Sequence, residues 1–140
     1  MDRKGQASAE YLLLIVVILL VMGWLLVNVY QPSISATMDV STTSDAKNAV
    51  TNIANAANLV YANGPGAKRT LSVYVPADGT FVSNNASKII QFNSAGIAKP
   101  VNASTSSNMT IVNPAVNKGW YNNITVEWIL NTNYITVTIA

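Results

Sequence analysis

The longest apolar stretch runs from Tyr11 to Val27, 17 residues without a charge. As a helix it rises roughly 26 Å, close to the hydrocarbon thickness of a bilayer. Ala7 and Ala9 before it, and Val29 and Tyr30 after it, lengthen the span. Gln31-Pro32 follows. A proline inside a helix removes one hydrogen bond and crowds the preceding turn, so a kink or short break is expected over residues 28–33. The pattern then turns amphipathic. Ala46, Val50, Ile53, Ala57 and Val60 recur at alternating intervals of four and three, with Asn48, Asn52 and Asn55 on the opposite face. A helix with this small apolar face suits packing on a sheet, and Gly64-Pro65-Gly66 stops it.

From Leu71 onward the period changes to two. Leu71, Val73 and Val75 alternate with polar or amphipathic residues. Asp78-Gly79 reads as a hairpin turn between this strand and Phe81-Val82. Further strands are expected at Lys88–Phe92 and Met109–Val112, and Asn93–Ser107 reads as a surface loop rich in Ser, Asn, Ala and Gly. Ile124, Val126, Trp128 and Leu130 share one face of a strand, Ile135, Val137 and Ile139 one face of the next, with Asn131-Thr132-Asn133 as the turn between them. The fold class is α+β: a long N-terminal helix whose outer half packs on a head of four to six antiparallel strands.

Composition sharpens this picture. Only 10% of the residues are charged, against roughly 25% in ordinary soluble chains. Polarity outside the apolar run is carried by 17 Asn, 12 Ser and 12 Thr, which neither titrate nor are screened by salt, as suits an exposed extracellular surface. The net charge of +2 is scattered apart from Arg3-Lys4 and Lys68-Arg69, which gives no footprint for nucleic acid. With no cysteine and no histidine, disulfides and the common zinc sites are excluded. The six carboxylates show no catalytic spacing and there is no phosphate loop, so neither enzymatic activity nor a cofactor is expected.

Arg3 and Lys4 precede the apolar run and no cation follows it until Lys47, which places the N-terminus in the cytoplasm and the rest outside. Three readings of the run are open on these grounds. It is an uncleaved anchor, or a secretory signal cut after Ser33-Ile34-Ser35 to begin the chain at Ala36, or a leader cut before the run so that the run stays with the mature protein. Periodicity alone favours the simple anchor.

The residues ahead of the run change the balance. "KGQASAEYLLLIV" resembles the class III signal peptide of archaeal type IV pilins, the Gln-x-Ser-x-Glu kind found in methanogens, through Lys4, Gly5, Gln6, Ser8, Glu10 and Tyr11. The resemblance implies that a membrane prepilin peptidase cuts between Gly5 and Gln6. It also implies that the new N-terminus opens a long helix which packs with its copies, alone or with other pilins, in the core of a helical filament. A pilus assembly ATPase and its membrane platform are the further partners implied, with surface adhesion as the role. The division expected is a cleaved leader at 1–5, a transmembrane and filament-core helix at 6–30, a kink and amphipathic stalk helix at 31–66, and a β-rich head at 67–140. The precursor would sit in the cytoplasmic membrane and the mature form outside the cell. The alternative is a monomeric membrane-anchored or secreted cell-surface binding glycoprotein.

The charges support the leader reading separately. A cut after Gly5 removes Asp2, Arg3 and Lys4 and leaves Glu10 about one turn from a new amine, where the helix dipole favours an anion. In a bundle the carboxylate would pair with a neighbour's terminus, and an unpaired charge in apolar surroundings would penalise wrong registers.

Four Asn-x-Ser/Thr sequons, at Asn85, Asn102, Asn108 and Asn123, fall in the head as candidate N-glycosylation sites. About three would arise by chance in a chain this rich in Asn, Ser and Thr, so their count is no argument by itself. The resemblance strengthens it, since archaeal pilins are often N-glycosylated. "GWYNN" at 119–123 offers Trp120 and Tyr121 either as a loop tip for adhesion or, for Trp120, as head core, which is the reading preferred on sequence.

Overall fold

The structure, a computed structural model, describes residues 3–97 and 99–140, with side chains from residue 9 onward and none for Ala98. Helix α1 (Arg3–Leu25) leads into a π-helical turn (Leu26–Tyr30), which leads into α2 (Gln31–Asn63). By its packing the chain divides into two units, Met1–Met38 and Asp39–Ala140.

In the first unit Pro32 does not end the helix. The turn before it widens, and the Gln31 N–H donates to the carbonyl of Leu26, five residues back. A proline cannot bond to the turn behind it and its ring collides with the carbonyl four residues earlier, and a π turn makes room for that ring. Side chains take up carbonyls along this stretch: Asn28 Nδ2 donates to Trp24 O at 2.9 Å, Ser33 Oγ to Val29 O at 2.7 Å and Thr37 Oγ1 to Ser33 O at 2.9 Å. The disturbance expected at 28–33 is therefore a π turn at 26–30 in a helix that continues.

The second unit is α2's outer half with eight strands. These are β1 (Lys68–Val75), β2 (Gly79–Asn84), β3 (Ile89–Asn93), β4 (Val101–Ser104), β5 (Asn108–Val112), β6 (Ala115–Val116), β7 (Trp120–Glu127) and β8 (Tyr134–Ile139). They form two four-stranded sheets, ordered β1-β7-β8-β5 and β4-β3-β2-β6. All pairs are antiparallel except β5 with β8. This exceeds the four to six antiparallel strands expected and adds one parallel pair.

One hydrophobic core joins the helix to both sheets. From α2 it takes Ala46, Val50, Ile53, Ala57 and Val60, the face read from the sequence, and also Ala49, Ala54 and Ala56. The buried arc is wider than a single sheet would need because the helix meets two. Alanines widen it at little entropic cost. Asn48, Asn52 and Asn55 stay exposed. The first sheet contributes Val73, Val75, Ile124, Val126, Ile135, Val137 and Ile139; the second contributes Phe81, Ile90 and Phe92, with the two phenyl rings 4.9 Å apart. On one flank of the helix Lys47 Nζ donates to the carbonyl of Asn102 in β4. Nearer the C-terminal end of the helix, Tyr61 stacks on Trp128 at 5.3 Å and 11°, and the indole N–H donates to Thr132 O. The helix ends as expected: Gly64 has φ +89° and donates back to Val60 O, and Gly66 donates to Trp128 O, which ties the stop to the sheet.

Asp78-Gly79 is not a hairpin turn. β1 pairs with β7 and β2 with β3 and β6, so the dipeptide is a corner between the sheets. Asp78 Oδ1 accepts the Lys118 N–H at 2.6 Å, a contact forty residues away. Gly79 is needed for close approach: a Cβ there would collide with Asn93 O and lie 2.6 Å from the Phe92 ring. The segment Asn93–Ser107 also departs from expectation, since it contains β4, paired with β3. The strand that began at Ile124 in the sequence reading starts at Trp120 and stops at Glu127.

Candidate assembly helix and modification sites

The apolar run of α1 shows its side chains to the surroundings over its whole length. Leu12 is 66% exposed, Leu20 69% and Trp24 62%. The helix is long and apolar enough to cross a membrane, with a mean hydropathy of 3.0 over its best window and none of that window buried. Exposed apolar residues continue from Tyr30, the last residue of the π turn, to Ile34 and Met38. Ile34 and Met38 extend the surface beyond the span that ended at Tyr30 in the sequence. Their spacing of four residues along α2 was the available signal, hidden by the polar residues between them.

Glu10 lies on α1 at the head of this run and is exposed. Four residues separate it from Gln6, about 6 Å along the axis. The backbone of Lys4, Gly5, Gln6 and Ser8 belongs to α1, while the side chains of this proposed processing motif lie outside the described ones. Met1 and Asp2, part of the leader expected from the sequence, lie outside the described residues.

All four sequon asparagines are exposed, in different settings. Asn85 follows β2 in a turn, and its Oδ1 accepts the Met109 N–H at 2.9 Å. Asn102 and Asn108 are in strands rather than the expected loop, β4 and β5, each at the edge of its sheet. They are exposed because alternate side chains of a strand leave the core face, so exposure does not require a loop. Asn123 is on the interior strand β7, opposite Ser72, and its carbonyl accepts the Ala140 N–H at 3.0 Å.

Trp120 is not head core. It is 70% exposed at the start of β7, beside Tyr121 at 71%. The core role belongs to Trp128, half-buried against Tyr61. Trp120 stands opposite the buried Val75 at the end of the β1–β7 ladder. Its position is fixed all the same: the Gly119 N–H donates to Val75 O, and the Tyr121 ring lies 5.4 Å from that of Tyr74 across the strand pair. The pairing of Tyr74 with Tyr121 was invisible in the sequence because β1 and β7 are far apart along it.

The single ion pair found among the described residues, Lys68 Nζ to Glu127 Oε2 at 3.4 Å, is exposed and contributes little to stability. Among the described residues no three His, Cys, Asp or Glu side chains gather as a metal site would require. Comparison of the chain with protein-family models, with curated proteins and with solved structures finds no match.

Proposed function

We propose that this chain is a structural subunit of an archaeal type IV pilus-like surface filament. It is made as a membrane precursor, cut between Gly5 and Gln6 by a prepilin peptidase, and polymerised through α1. The reading is carried by one conjunction: a Gln-x-Ser-x-Glu entry, Gln6 to Glu10, runs directly into a helix whose apolar side chains are exposed among the described residues. A helix of that kind needs lipid or copies of itself. The α+β fold, with the outer helix packed into a β-rich unit, supplies the head that such a subunit displays.

Assembly moves α1 from lipid into a bundle of helices. Lipid tails are as apolar as leucine, so the gain comes from close packing and from polar pairing rather than from release of water. Gly23 is the only glycine of the run, which leaves broad faces of Leu, Ile and Val as the packing surface. The removed Arg3 and Lys4 orient the precursor and are absent from the core. Adhesion falls to the exposed head.

The rival reading, a monomeric anchored or secreted binding glycoprotein, uses the same helix without a cut at Gly5. Shearing the cell surface and imaging the released material separates the two. Fibres that react with antibody against the head support the filament, and their absence with the chain still in the membrane fraction supports the rival.

A further inference from the structure

The strands at the sheet edges are β1 and β5 in the first sheet, β4 and β6 in the second. An unpaired edge offers a row of N–H and C=O groups to any other strand, and proteins guard such edges. Three of these are short or guarded. β6 is Ala115–Val116 alone. Lys47 Nζ occupies the carbonyl of Asn102 on β4. On β5, Asn85 Oδ1 accepts the Met109 N–H and Ser83 Oγ donates to the Met109 carbonyl. β1 is eight residues long, contains no proline, and has no such cover among the described residues. Its lysine, Lys68, is drawn across the ladder to Glu127.

The carbonyls of Ala67 and Val75 accept the N–H groups of Trp128 and Gly119, so odd-numbered residues turn their backbone groups toward β7. Alternation turns those of Thr70, Ser72 and Tyr74 to the open edge. A groove runs beside that edge, against α2. Arg69, Leu71 and Leu59 line one end, Asp45, Tyr74 and Tyr121 line the other, and Asn52 and Ser72 belong to both. Asn48, Asn52 and Asn55 form an exposed wall on the helix. Neither Arg69 nor Asp45 has an ion-pair partner among the described residues.

We propose that β1 pairs with β1 of a second copy, antiparallel and centred on Ser72. In that register Ser72 faces Ser72 of the second copy and Thr70 faces Tyr74, so each open N–H and C=O finds a partner. One patch serves both copies, as a two-fold contact requires. The charges select this occupant. The two-fold carries Arg69 of each copy to the Asp45 end of the other's groove. It also sets the two asparagine walls face to face, and their amides both donate and accept. The outer helices of such a pair run in opposite directions. The contact therefore links heads on separate assemblies rather than neighbours along one polar filament, where repetition multiplies a weak bond. It uses only the β unit and stands whether or not α1 polymerises.

The test uses the full-length chain in detergent. The chain has no cysteine, so a single introduced one reports on one place. Opposed residues of a hydrogen-bonded pair lie about 5.5 Å apart at Cα, within disulfide reach. Ser72→Cys is expected to give a covalent dimer under mild oxidation. Asn123 lies opposite Ser72 on β7, about 14 Å from its copy in this pairing, and Asn123→Cys is expected to stay monomeric. Arg69→Glu and Asp45→Arg are each expected to lower the Ser72→Cys dimer about tenfold, since each reverses a charge contact on both sides of the two-fold. The two together are expected to restore it. Near-ultraviolet circular dichroism of the Tyr61–Trp128 stack checks that the head is folded in each variant. Equal yields from Ser72→Cys and Asn123→Cys would mean association through α1 alone and would overturn the inference. So would an unchanged yield in Arg69→Glu, or a double variant that fails to recover.

Discussion

Replacing Glu10 with alanine is expected to abolish filaments while leaving the precursor processed. The reason lies in where the charge sits. Glu10 heads an apolar surface that runs to Tyr30, and on the filament reading that surface is buried among copies of itself. A carboxylate there is tolerable only if it is paired, and the nearest available cation is the amine created at Gln6 of a neighbouring helix. Removing one partner of a buried pair costs roughly 3–5 kcal/mol, because the other charge is left uncompensated. Each subunit added to a fibre would carry that penalty. Glu10→Gln keeps the shape and loses the charge, and it is expected to fail as well. The measurements are the size shift of the chain on cleavage, followed by immunoblot, and fibre counts by electron microscopy. Normal fibres from Glu10→Ala would leave Glu10 as no more than the solvated edge of a membrane span.

The second large effect is on the head. Ile53 is fully buried on α2, among residues drawn from the helix and both sheets. Truncation to alanine removes three carbons from a close-packed site and leaves a cavity, at about 2–5 kcal/mol. A domain of this size has only about 5–15 kcal/mol of stability to lose. Denaturant unfolding of the full chain in detergent, followed by near-ultraviolet circular dichroism of the Tyr61–Trp128 stack, reads the change directly. The midpoint is expected to fall with little change in slope. Asn52→Ala, on the exposed face one position away, is expected to stay within about 0.5 kcal/mol. An Ile53→Ala midpoint equal to the wild type would mean that the helix is not seated in the sheets as described.

What could be read in the sequence was whatever a local period encodes. Ala46, Val50, Ile53, Ala57 and Val60 are buried because a helix repeats every 3.6 residues, and Ile135, Val137 and Ile139 because a strand repeats every two. Partner choice is not local, and there the reading failed. Asp78-Gly79 has the chemistry of a hairpin turn, yet β1 finds its partner in β7, and the glycine serves the Phe92 ring instead. β4 was hidden because Val101 and Ala103 are its only apolar residues, too few to stand out from a loop. Trp120 was placed in the core on residue type, whereas its place at the end of the ladder leaves it exposed. The proline signal was read correctly as a disturbance, but the π turn that absorbs it has helix on both sides, where a break was the other reading. Of the proposed sites, the leader motif is wholly sequence, while the meeting of Tyr74 with Tyr121 exists only once β1 and β7 are paired.

The N-terminal residue of this chain, recovered from material sheared off the cell surface, tests the central claim most directly. Edman sequencing, with removal of pyroglutamate in case Gln6 has cyclised, or mass spectrometry of the N-terminal peptide, reads it in one experiment. The filament account predicts a start at Gln6. A start at Met1 would make α1 a plain anchor, and a start at Ala36 would remove the helix on which the whole assembly depends.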